Sequence, residues 1–149
     1  MKEKIWVKDD GGREKAGYKG SSGDCVVRAI AIATRTPYKK VYTDLFEINR
    51  TKSGFVREGK NTSPRNGATT SKTIREYLTK RGWVWTPTMG VGTGCKVHLR
   101  AEELPGGTVI AVVTRHLTTL IDGVIHDNYD PSRFGTRCVY GYFTHPDYS

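Results

Sequence analysis

Cys25 stands where a flexible stretch gives way to an apolar one: residues 20–37 read GSSGDCVVRAIAIATRTP. A thiol attacks only as its thiolate. The unpaired N–H groups and dipole at a helix N-terminus favour that anion. Asp24 opposes the effect unless its carboxylate is occupied in capping the helix. A nucleophile also needs a base. The histidines are His98, His116, His126 and His145, and His116 opens RHLTTLIDGVIHDNYD. Asp122-Gly123 in that stretch is a two-residue hairpin signal. Counting outward from a turn that pairs Ile121 with Val124, Thr118 meets Asp127 and His116 meets Tyr129. Side chains alternate along strands, so these four share a face. Asp127 is then a diagonal neighbour of His116, about 7–8 Å away between backbone positions. A carboxylate there can hold the imidazole in one tautomer and steady its cation. A one-residue bulge would present Asn128 instead. Asp130 becomes a second reserve through a bend before Pro131. The plain alternative is a core thiol, a polar strand end and an acid opening a turn.

These residues need a scaffold. Val26, Ala29, Ile30 and Ala33 give a helix from Cys25 to about Thr34, with a stripe broad enough to be buried. Arg28 faces away from that stripe, toward solvent or an acidic partner. Thr36-Pro37 opens a second helix to about Asn49, with Val41, Leu45 and Ile48 on one side. Residues 50–69 form a basic, loop-rich insertion. Thr70 or Ser71 caps a third helix to about Arg81, which Gly82 stops. The period then changes to that of strands: WVWT at 83–86, 96–99, TVIAVVT at 108–114, 116–121, 124–129 and 138–144. AEEL at 101–104 reads as a helical turn. Residues 1–17 form an N-terminal extension with one short strand. Helices first and an antiparallel sheet second predict a single α+β domain over residues 1–149.

Composition narrows the function classes. The 149 residues are 36% hydrophobic and 26% charged, as in a globular chain. No apolar run approaches the ~20 residues of a membrane span, and the first residues lack a signal core. A cytoplasmic protein is expected. Three cysteines, an odd number, argue against a disulfide framework and predict thiols. The net charge of +9 is concentrated between residues 50 and 81. Arg50, Lys52, Arg57, Lys60, Arg65, Lys72, Arg75, Lys80 and Arg81 face only Glu58 and Glu76 there. That patch suits nucleic acid or an acidic protein, or is a solvated surface. Cys95 and His98 have half-site metal spacing, and Cys138 and His145 complete it only on paper, so no metal or other cofactor is expected. GVGTG at 90–94 lacks the following Lys-Ser/Thr of a phosphate loop. Trp83 and Trp85 suit core burial better than base stacking.

GDCVVRAIAIAT and RHLTTLIDGVIHDNYD together resemble the papain-like cysteine peptidase superfamily, nearest to its small bacteriocin-processing peptidase domains. The likeness spans roughly residues 18–143. It implies a nucleophile at Cys25, a base at His116 and an orienting acid at Asp127, in a cleft between helix and antiparallel sheet. It implies a thiol hydrolase acting on peptide, isopeptide or amide bonds of a protein or peptide substrate, acidic ones included, through a thioester. One departure stands out. Such enzymes place an oxyanion-binding glutamine before the cysteine, and this chain has no glutamine. Lys19, Ser21, Ser22 and the Cys25 N–H are the substitutes. The alternative is a weak or inactive papain-like binding module that uses the basic 50–81 region.

Overall fold

The computed structural model describes residues 5–18, 24–52, 70–90 and 92–149. Among them the chain forms β1 (Trp6–Lys8), α1 (Cys25–Thr34), α2 (Tyr38–Lys52), α3 (Ser71–Thr79), β2 (Val84–Pro87), β3 (Thr108–Val113), β4 (His116–Ile121), β5 (Val124–Asp127) and β6 (Gly141–Thr144). Short 3₁₀ turns occupy Ala101–Glu103 and Pro146–Tyr148. The strands make one sheet in the order β1-β5-β4-β3-β6-β2. The class is α+β.

β3 and β4 lie at the centre, and the near-continuous apolar run of β3, TVIAVV, reflects burial on both faces. Ile110 and Leu117 face the helices, packing with Val27, Ile30, Leu45, Leu78 and Phe143. Val109, Ala111, Val113 and Leu120 face the other way, against Leu99, Ile125 and Val139. Thr119 sits fully buried under α1, where its hydroxyl donates to the Ala29 carbonyl at 2.7 Å. Thr70 caps α3 by accepting from the Thr73 N–H at 3.2 Å. Asp122 and Gly123 both take positive φ, 49° and 81°, as the tight turn between β4 and β5 requires.

The structure corrects several sequence expectations. The sheet is mixed, because β1 runs parallel to β5 with Lys8 beside Asp127. This covers the edge that β5 would otherwise leave unpaired. β5 ends at Asp127, where the chain turns toward Pro131, rather than at residue 129. Residues 96–99 form no strand, only an isolated bridge between His98 and Cys138, and β6 begins at Gly141. That bridge brings two cysteines together: Cys95 and Cys138 are disulfide-bonded, with Cα atoms 5.8 Å apart. The expectation of three thiols is therefore wrong, and Cys25 alone is free. The paper metal site dissolves with it. His98 turns to Glu103 at 3.2 Å, and no metal-ligating cluster exists among the described residues. None of their helices is long and apolar enough to cross a membrane.

Candidate active site

α1 begins at Cys25, but Asp24 makes no side-chain cap. Its carboxylate is fully buried and turned inward, where burial without partners would be costly. It accepts hydrogen bonds from Arg28 and from the Tyr38 hydroxyl, the latter at 2.5 Å, and pairs with Arg13 at 3.1 Å. Burial and the Asp24 carboxylate push the Tyr38 phenol pKa up, which keeps it a donor. Two guanidiniums thus answer the aspartate, so its charge does not oppose a thiolate at Cys25. Arg28 also departs from expectation. It is 7% exposed, because α1 is buried on nearly every side and offers no solvent face. Its Nη2 lies 3.6 Å from Asp127 Oδ1.

His116 opens β4 and Asp127 closes β5, on the shared face that the register dictates. His116 Nε2 lies 2.6 Å from Asp127 Oδ2. Thr118 donates to the same oxygen at 2.7 Å, and the Asn128 N–H donates to Oδ1 at 2.7 Å. The Asp127 carbonyl is held from β1's side by the Trp6 indole N–H at 3.1 Å and the Asp9 N–H at 2.9 Å. With Nε2 engaged by Asp127, Nδ1 is the ring nitrogen left over, and the His116 ring and the Leu117 backbone N–H lie close enough to Cys25 to favour its thiolate. The Tyr129 hydroxyl lies 3.4 Å from the same Nδ1.

The charges follow from these contacts. Burial pushes the Cys25 thiol up, but the hydrogen bond and charge of His116, the Leu117 N–H and Arg28 outweigh it, and the thiol titrates below its ordinary range. Burial pulls His116 down, yet its bonds to Asp127 and Cys25 hold it above the usual imidazole value. Burial pushes Asp127 up, and His116, Thr118 and the Asn128 N–H bring it below the usual carboxylate range. All three shifts run toward the charged forms, thiolate, imidazolium and carboxylate.

The reserves stand elsewhere. Asn128 contributes its backbone N–H, and Asp130 caps the following turn by accepting from the Ser132 N–H at 3.0 Å. His126 lies on the opposite face, its Nδ1 3.3 Å from Asp9. Lys19, Ser21, Ser22, Arg57, Lys60 and Arg65 fall outside the described residues, and Arg50 and Lys52 belong to the end of α2. Lys72 is exposed on α3. Sequence reasoning gave the buried pair Asp24 and Arg28 no place in the site. The available signal was an i,i+4 acid and base in an otherwise apolar helix.

A cleft of about 560 Å³ opens beside Cys25 and His116. Trp85 forms part of its wall, with the Arg75 guanidinium 5.0 Å above its ring. Gly141 sits against that ring, and a Cβ there would collide with it. Gly141→Ala is therefore expected to cost about 1–3 kcal/mol by overpacking. Urea denaturation measures it, and an unchanged midpoint would show that Trp85 moves freely.

No known family model, curated protein or solved structure matches the chain.

Proposed function

We propose that the protein is a papain-like thiol hydrolase cleaving peptide, isopeptide or amide bonds. The supporting observation is the 2.6 Å pairing of Asp127 with His116, beside a Cys25 whose thiolate that ring favours, both Cys25 and His116 lining one cleft. The Cys25 sulfur attacks the carbonyl carbon, and a C–S bond forms as the carbonyl oxygen takes the negative charge. The Cys25 N–H, at the first turn of α1, has no intrahelical partner and is placed to receive that oxygen. The His116 imidazolium gives its proton to the amine, the C–N bond breaks, and a thioester is left. His116 then takes a proton from water, whose oxygen attacks the thioester and releases the acid and the thiolate. An acyl acceptor other than water would make the same site a transferase, and a side-chain amide would make it a deamidase. A cytoplasmic location carries over from the sequence. The Cys95–Cys138 bridge weighs against it, since cytosolic thiols are mostly kept reduced.

Alkylation by iodoacetamide, followed by intact mass, tests the thiol. One adduct is expected, at Cys25, because the other cysteines are bonded to each other. A lowered thiol pKa keeps thiolate present at pH values where an ordinary thiol is protonated. The rate should therefore hold up as pH falls below the ordinary thiol range, and drop only at the lower pKa. In His116→Ala the thiol pKa rises, and each unit removes about tenfold of the thiolate at pH 6. A rate that climbs only toward the ordinary thiol pKa, and ignores His116, would overturn the proposal. A binding module dependent on Arg50, Lys52, Arg57, Lys60, Arg65, Lys72 and Arg75 would then be the better reading.

A further inference from the structure

Resting on that reading, we infer that the cleft takes an acidic peptide: a bulky apolar side chain seated inside it, with a carboxylate on a neighbouring residue at its rim. The interior is walled by Val26, Ile74, Val112, Leu117 and Phe143, which offer no polar side chain to a guest. Such a lining rewards burial of an aliphatic or aromatic group. The rim is different. Arg75 stands over Trp85, and Arg115 projects from the turn between β3 and β4, immediately before His116. No aspartate or glutamate lines the cleft among the described residues. A carboxylate arriving there meets two cations, and a lysine meets repulsion.

Arg115 carries the second observation. Its φ is 55°, the left-handed region that glycine or asparagine enters without strain. Glycine would fit that turn without strain, so the arginine there places its side chain at the cleft at some backbone cost. Among the described residues no carboxylate pairs with it, and the residue is exposed. Its charge is thus available to a ligand.

The test uses Cys25→Ala and three acetylated, amidated peptides with leucine next to Glu, Gln or Lys, titrated by calorimetry. Affinity should fall in the order Glu, Gln, Lys, with roughly tenfold between the ends at low ionic strength. The spread should shrink in 0.5 M salt. Arg115→Gly in the same background suits the left-handed turn, so it folds, and it should cut the spread to about threefold. Arg75→Gln should do the same from the other side of the rim. Equal affinity for the Glu and Lys peptides, or a spread untouched by both variants, overturns the inference. Tighter binding of a single-stranded oligonucleotide than of the Glu peptide at equal salt overturns it too. Iodoacetamide labelling of the parent protein separates this from the reading beneath it. Fast labelling without a charge order sinks only the acidic peptide, and a charge order with sluggish labelling sinks only the thiol chemistry.

Discussion

On the proposed mechanism, His116→Ala is expected to lower kcat for hydrolysis of a peptide amide by about 10⁴, and Asp127→Asn by up to a similar factor. The size follows from how much passes through one ring. His116 is the hydrogen-bond partner and counter-charge that hold the Cys25 thiol below its ordinary pKa. Without it the largest remaining influence is burial, which pushes the thiol pKa up. In the proposed mechanism the same ring donates the proton to the departing amine, a role worth roughly 10²–10⁴ by itself. In Asp127→Asn the amide NH2 must face either His116 and Thr118 or the Asn128 N–H and Arg28, donor against donor, so the tautomer of the ring is disturbed as well as the charge behind it. An activated ester, whose leaving group needs no proton, should lose less than the amide in His116→Ala. Steady-state kinetics on the matched amide and ester check this. Equal losses for both substrates would mean that the ring acts on the thiol alone. An unchanged kcat would remove it from the chemistry.

Arg28→Met should destabilise the fold by about 3–5 kcal/mol, the cost of leaving a buried partner charge unanswered. Arg28 holds the fully buried Asp24 carboxylate and approaches Asp127 from the opposite end of the same guanidinium. Methionine fills most of the space, so packing changes little. Among the described residues, Asp24 then keeps Arg13 and Tyr38. At about 2–4 °C per kcal/mol for a chain of this size, the melting temperature falls by roughly 10 °C. Adding Asp24→Asn should recover part of the loss, because the stranded charge is removed as well. Calorimetric melting of the two variants and the parent decides it. A change within about 0.5 kcal/mol for Arg28→Met would show that the guanidinium carries no buried partnership.

Much of this was legible where local signals govern. Asp122-Gly123 set the register of β4 and β5, and strand parity then put His116, Thr118 and Asp127 on one face. The apolar spacing after Cys25 marked α1 from end to end. What the reading missed depends on chain segments far apart. Nothing near Trp6 announces that β1 will lie parallel beside Ile125. Cys95 and Cys138 are 43 residues apart, and only the folded crossing at His98 brings them together. Asp24 reads as a helix cap because capping is a local habit. Its real partners include Arg13 and Tyr38, on other segments, and three donors in a buried pocket outcompete a solvated cap. Arg28 was misplaced for the same reason: its helix has no outside.

The position of β1 sets an order of events during synthesis. Trp6 and the backbone it holds at Asp127 are separated by 121 residues. A ribosome adding about 5–20 residues per second leaves the first strand without its neighbour for roughly ten seconds. The β4–β5 hairpin, closed by its own two-residue turn, has no such delay. The Asp127 carboxylate is thus brought near the His116 imidazole locally, and the peptide bond that carries it is clasped only when the oldest part of the chain returns to dock.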